Sequence, residues 1–144
     1  MSEKYLIFGA TGSIGSSLSR QLKESGKEVH LVARNESEVK KLSEELGCTF
    51  TVADVLENGF VDKVKAEVPD VKGIAYCVGS IVLKPLRMIK EDEFNQCMKL
   101  NCYSALEVIR GYQDTLKKSK GSVVLFSTVA VRRGFSNHGI IASA

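Results

Sequence analysis

The 144-residue sequence has no apolar run approaching the roughly 20 residues of a membrane-spanning helix. Its opening stretch, MSEKYLIFGATG, has too short a hydrophobic segment and no cleavage-site flank, which excludes a secretory signal. Both absences lead to the expectation of a cytoplasmic protein with no membrane partner. The four cysteines, Cys48, Cys77, Cys97 and Cys102, include no C-x-x-C pair. Cys97 and Cys102 lie on an expected helix at a spacing that points them in different directions. Four reduced thiols are therefore expected, with neither a metal site nor a disulfide. Lysine and arginine number 20 against 17 acidic residues, and the resulting charge of +3 is scattered along the chain. Without a block of positive charge there is no sign of a nucleic-acid partner. There is also no linker, repeat or low-complexity stretch, and 44% hydrophobic content over this length supplies one core. A single domain over residues 1–144 follows.

What is present is alternation. KYLIFG (4–9) is unbroken in its hydrophobicity, which suits a strand buried on both faces. EVHLVA (28–33), CTFTVAD (48–54), GIAYCVG (73–79) and GSVVLFST (121–128) read as four more strands. Between them Ile14, Leu18 and Leu22 stripe one helix, Val39, Leu42 and Leu46 a second, and Phe60, Val64 and Val68 a third that Pro69 closes. Residues 91–119 read as a long helix with Met98, Cys102, Leu106, Ile109 and Leu116 as its apolar face. Strict β-α-β alternation with right-handed crossovers predicts an α/β, Rossmann-like, doubly wound parallel sheet in the order 3-2-1-4-5, with helices on both faces. Tyr5, Tyr76, Tyr103 and Tyr112 fall inside these patterns and are expected in the core or at an interface.

FGATGSIGSSL stands where the first strand hands over to the first helix, with glycines at Gly9, Gly12 and Gly15. Glycine there permits a tight turn, a close approach of backbone to a pyrophosphate, and the packing of helix on strand. The amides at the helix start then face an anion. Where the second strand ends, a dinucleotide fold often puts an acidic residue on the adenosine ribose, but this chain has Arg34 in LVARNES. A guanidinium suits a 2′-phosphate, so the expected cofactor is NADP(H) rather than NAD(H).

These motifs together resemble the short-chain dehydrogenase/reductase family over essentially the whole chain. GATGSIG looks like the family's cofactor loop, so Thr11, Ser13 and Ile14 join the three glycines as implied cofactor contacts. Its G-x-x-G-x-x-G spacing is more like the family's extended branch, whereas the later motifs look like the single-domain branch. ADV puts Asp54, with Val55 beside it, where the family contacts adenine. YCVG stands where the family has Asn-Ala-Gly, so Cys77 and Val78 depart from the pattern and Gly79 keeps it. KLNCYS places Asn101 at the helix-interrupting asparagine that the family uses to hold a proton-relay water.

The resemblance also implies a Ser at the end of the fifth strand, a Tyr thirteen residues later and a Lys four beyond that. Thr128 matches the Ser, with Ser127 as the competing position, and the count from Thr128 reaches Ile141. Isoleucine can neither give nor take a proton. The Lys would fall beyond Ala144. His138, on a helix expected to open with Asn137 as its N-cap, is a chemically possible proton donor or else a surface residue. Arg132 and Arg133 either meet an acidic substrate or cofactor phosphate or are solvated.

The expectation is an NADP(H)-binding oxidoreductase domain that acts on a small-molecule carbonyl or alcohol in a longer form. As given, it reads as a non-catalytic fragment that lacks the family's final strands and is incomplete at its C-terminal end. The alternative is a nucleotide-binding or interaction module without turnover. The fourth and fifth strands are expected to lack a helix on one face, and self-association is expected through the uncovered edge at the fifth strand and through the long helix 91–119.

Overall fold

The computed structural model describes residues 3–144; Met1 and Ser2, the start of the stretch read above for a signal, lie outside the described residues. The strands are β1 (Lys4–Phe8), β2 (Glu28–Ala33), β3 (Thr49–Val52), β4 (Gly73–Tyr76) and β5 (Ser122–Leu125). They pair in parallel in the order β3-β2-β1-β4-β5, with Leu6 opposite His30 on one side and Ile74 on the other. This is the order expected from the alternation. The last three strands stop two or three residues earlier than the hydrophobic runs suggested. Cys77 N–H still donates to Phe8 C=O at 2.9 Å and Ala53 N–H to Ala33 C=O at 3.0 Å. Beyond those bonds β1 has turned away at Gly9 and β2 has ended at Ala33, so β4 and β3 have nothing further to pair with on those sides, and β5 ends with β4.

The helices are α1 (Ser13–Glu24), α2 (Glu36–Leu46), α3 (Phe60–Glu67), α4 (Glu91–Met98) and α5 (Ser104–Ser119), the last two joined by a π-helical turn over Lys99–Tyr103. Asn35 caps α2 by accepting from Glu38 N–H at 3.2 Å, with Glu36 and Glu38 in the first turn to complement the helix dipole. Alternate strand residues serve opposite faces, as the two-residue pleat requires. Leu6, Phe8, Val32, Ile74 and Tyr76 join Phe60 and Val64 of α3 and Val108 and Tyr112 of α5. Ile7, Leu31 and Ala75 join Val39 and Leu42 of α2, with Leu18 and Leu22 of α1 packed against them.

Some expectations are corrected. Of the stripe predicted for residues 91–119, only Leu116 is buried, and Leu106 is 53% exposed. The core takes Cys97, Ala105, Val108, Tyr112 and Leu116. Cys97 and Ala105 would be offset by about 80° on a straight α-helix, and the wider π turn between them changes that offset and breaks the period of the stripe. Size misled as well, because α3 and α5 approach so closely that a Cβ on Gly111 would sit 2.4 Å from Val61 Cγ1. Tyr76 and Tyr112 are buried and donate to Leu100 C=O at 2.7 Å and Val68 C=O at 2.9 Å, whereas Tyr103 is half exposed and outside the core. The fourth strand was expected to lack cover on one face, yet all of β4 is buried, and only β5 is open, with Val124 and Leu125 about half exposed. The helix expected from Asn137 is a run of turns closed by Ala142 N–H on His138 C=O at 2.9 Å. Asn137 itself is left-handed at φ 62°, incompatible with the extended backbone of an N-cap.

One polar group is sealed into the sheet. His30 is 2% exposed, with Nδ1 2.7 Å from Thr49 Oγ1 and Nε2 2.8 Å from Thr51 Oγ1. Both ring nitrogens therefore have partners in the neutral state. Burial, helped by the charge of Lys4, depresses its pKa to about 4.

Candidate functional site

At the carboxyl ends of β1 and β4, where the strand order reverses, lies a cleft of about 540 Å³. Its floor is the turn after β1. Gly9 adopts φ 72°, and a Cβ there would lie 2.8 Å from the Cys77 carbonyl carbon. Glycine thus lets the loops after β1 and β4 meet. A Cβ on Gly15 would sit 2.2 Å from Gly9 O, so this position seats α1 on the turn and does not itself line the cleft. Gly9, Thr11 and Gly12 do line it. Gly12 is the N-cap of α1 and offers no side-chain cap, and the first turn carries no acidic residue. The amides at the start of this 12-residue helix are therefore available to an anion. Ser13 and Ile14 belong to that first turn, with Ile14 53% exposed, and neither lines the cleft.

The loops after β2 and β3 make the next wall. Arg34 is exposed on it and has no ion pair among the described residues. Asp54 Oδ1 accepts from Leu56 N–H at 2.9 Å, which fixes the carboxylate on the wall beside the buried Val55. Cys77 and Gly79 line the side contributed by β4, where burial pushes the Cys77 thiol up to about 11 and keeps it protonated at neutral pH. The far wall was missed by the sequence reading. It includes Ser80, Val82, Glu93, Gln96, Cys97 and Leu100. Lys84 Nζ binds Glu93 Oε1 and holds that carboxyl below its usual range, while Glu93 Oε2 is buried without a partner. No local motif marks these residues, because the loop after β4 and the π turn bring them together.

The catalytic candidates are not brought together. Asn101 sits in the π turn, where Oδ1 accepts from Ser80 N–H at 3.1 Å and Nδ2 donates to Ser80 C=O at 3.2 Å and Cys97 C=O at 3.0 Å. Its amide clamps the loop that lines the cleft. Thr128 N-caps a short 3-10 turn, Val129–Val131, accepting from Ala130 N–H at 3.3 Å. His138 Nδ1 donates to Ser136 C=O at 2.7 Å, with its ring 5.3 Å from that of Phe135. No hydrogen bond joins these three among the described residues, and none lines the cleft. Arg132 and Arg133 are exposed and form no ion pair among the described residues. Ile141 is partly buried and supplies no titratable group.

A parallel sheet with a glycine-lined cleft at its switch point defines a doubly wound α/β domain of the nucleotide-binding type. The family model described as enoyl-(acyl carrier protein) reductase matches residues 9–144. The uncharacterized oxidoreductase YIR035C of Saccharomyces cerevisiae is 31% identical over 153 residues, which cover 100% of this chain and 60% of the yeast protein. A tropinone reductase homolog of Arabidopsis thaliana, At2g29290, is 29% identical over 136 residues, covering 87% of this chain and 52% of its own length. Among solved structures, the alcohol dehydrogenase of the archaeon Thermococcus sibiricus complexed with 5-hydroxy-NADP superimposes with a TM-score of 0.91 at 24% identity, over 99% of this chain and 65% of that one. The crystal structure of YIR035C gives 0.89 at 24% identity, over 99% and 60%. The chain belongs to the short-chain dehydrogenase/reductase family of oxidoreductases. It spans about 60% or less of the length of these curated relatives.

Proposed function

We propose that this chain binds NADP(H) in the cleft and does not by itself carry out turnover. The observation that supports the cofactor is Arg34, an unpaired guanidinium on the cleft wall where the second strand ends. An acidic residue at that place would accept from a ribose hydroxyl and repel a 2′-phosphate, whereas a guanidinium attracts one through paired N–H donors. The uncapped start of α1 suits the pyrophosphate, and its amides at Ser13, Ile14 and Gly15 can donate even though those side chains are outside the cleft. Asp54 and Val55 suit the adenine. The far wall, whose loop Asn101 clamps at Ser80, bounds the cleft on the side away from Arg34. When bound, the cofactor supplies or accepts hydride. In a longer protein containing this chain, the matching chemistry is reduction of a small carbonyl compound or oxidation of an alcohol.

The reading without turnover is favoured by Ile141 and by the placement of Thr128, Asn101 and His138 outside the cleft. General acid–base chemistry needs a proton carrier within hydrogen-bond reach of the reacting oxygen. Self-association belongs to the same proposal. Val124 and Leu125 on the β5 edge and Tyr103 and Leu106 on the outer side of the π turn and α5 are each about half exposed. Light scattering should show a mass above that of a monomer at high concentration, and a monomer throughout would remove this part. Calorimetric titration should show saturable NADPH binding with no oxidation of cofactor on adding ketones or aldehydes. Absence of binding would overturn the proposal.

A further inference from the structure

A second hollow of about 440 Å³ adjoins the cleft and shares Arg34, Ala53 and Asp54 with it. Lys63 of α3 and Glu57 of the loop before it complete its charged lining. Two other lysines nearby are tied down: Lys65 Nζ donates to Gly111 C=O at 2.6 Å and Lys99 Nζ to Leu56 C=O at 2.7 Å. Lys63 makes no such bond and no ion pair among the described residues, and neither does Arg34. The polar neighbours are committed, since Asn35 Oδ1 accepts from Glu38 N–H and Ser37 Oγ, and Asp54 Oδ1 from Leu56 N–H. Two uncommitted cations thus face one hollow beside the adenosine end of the cleft, with Glu57 and the hydrogen-bonded carboxylate of Asp54 as the opposing anions.

We infer that Lys63 is a specificity-determining residue that joins Arg34 in holding the 2′-phosphate of the cofactor, and that Glu57 limits the affinity. The inference rests on the NADP(H) reading above. A phosphate monoester carries close to two negative charges at neutral pH. One guanidinium fork neutralises part of that, and a flexible ammonium can supply the remainder as a point charge. The position is not marked in the sequence, because Lys63 lies on a different β-α unit from Arg34.

The test is calorimetric titration of the full chain with NADPH and with NADH at fixed, low salt, for wild type, Arg34→Ala, Lys63→Ala, Lys63→Arg and Glu57→Gln. Lys63 is exposed on the outside of α3, so its replacement leaves the core untouched. Lys63→Ala should weaken NADPH about fivefold and leave NADH within about twofold, the scale of one solvent-exposed charge interaction. Lys63→Arg should retain the preference and Glu57→Gln should increase NADPH affinity. If Arg34→Ala erases the preference for NADPH while Lys63→Ala does not touch it, the inference on Lys63 falls and the NADP(H) reading stands. If the wild-type chain binds NADH as tightly as NADPH, or neither, that reading falls and takes this one with it.

Discussion

The walls of the cleft near the phosphate loop and the segment after β5 both lie at the carboxyl end of one sheet, but they are held very differently. The first is made by backbone leaving paired strands, with Gly9 against Cys77, Gly15 against Gly9 O, and Asp54 fixed by Leu56 N–H. The second hangs from the edge strand β5 through consecutive turns, and the side-chain bonds of Thr128 and His138 reach only two residues along the chain. A site built from strand ends is positioned by the whole sheet, whereas the segment beyond the edge is positioned by turns and by its docking on the loop after β4, through Lys84 N–H on Asn137 C=O at 3.0 Å and the buried Ile140. The difference fits the proposal of a cofactor cleft in a chain whose candidate proton-transfer groups are not brought together.

Glycine substitution should expose the contrast most strongly. Gly15→Ala places a methyl against backbone that cannot yield, and a cost of about 3 kcal/mol is expected, read as a lowered denaturant midpoint with NADPH binding lost. Replacing Gly134, where a Cβ would meet nothing within 4 Å, should change the midpoint by no more than about 0.5 kcal/mol.

His30, within the paired strands, extends the account to pH. His30 has a folded pKa near 4 against an ordinary value of 6.5. Between those values the unfolded chain binds the proton and the folded chain does not, so stability rises with pH through this window and is lost as pH falls from 6.5 toward 4. The loss approaches about 3 kcal/mol at the acid end. Urea midpoints measured across that window should slope for wild type and flatten for His30→Gln. A slope that survives His30→Gln would assign it to other groups.

Smaller effects distinguish the tyrosines and the two ends of the cleft. Tyr112→Phe removes a buried donor to Val68 C=O and should cost about 1 kcal/mol in thermal or urea unfolding, whereas Tyr103→Phe should cost nothing measurable. Thr128→Val and His138→Ala should leave NADPH affinity within about twofold by calorimetry, because neither side chain lines the cleft. A large loss for either would mean that the segment after β5 closes onto the cofactor.

The sheet was legible because each strand is a short apolar run between a turn signal and a helical period, and parallel order follows from crossover handedness. Gly9, Gly12, Arg34 and Asp54 were legible for the same reason, since they occupy the first turns after strands. The apolar face of residues 91–119 was not legible, because the π turn at Lys99–Tyr103 breaks the period and tight packing on α3 prefers Ala105 to Leu106. The helix interruption expected at Asn101 is the π turn, but its partner Ser80 lies in another loop and has no sequence signature. The expected helix after Asn137 failed because apolar composition alone does not supply the cap that starts a helix.

The most direct test of the central claim, a working NADP(H) cleft beside an unassembled catalytic end, is one titration of the purified chain with NADPH monitored for heat and for absorbance in the presence of a mixed set of ketones and aldehydes. Saturable binding that Arg34→Ala weakens by about tenfold, with no loss of NADPH absorbance, is the expected result. Steady oxidation of NADPH by the wild-type chain, or no binding at all, would contradict it.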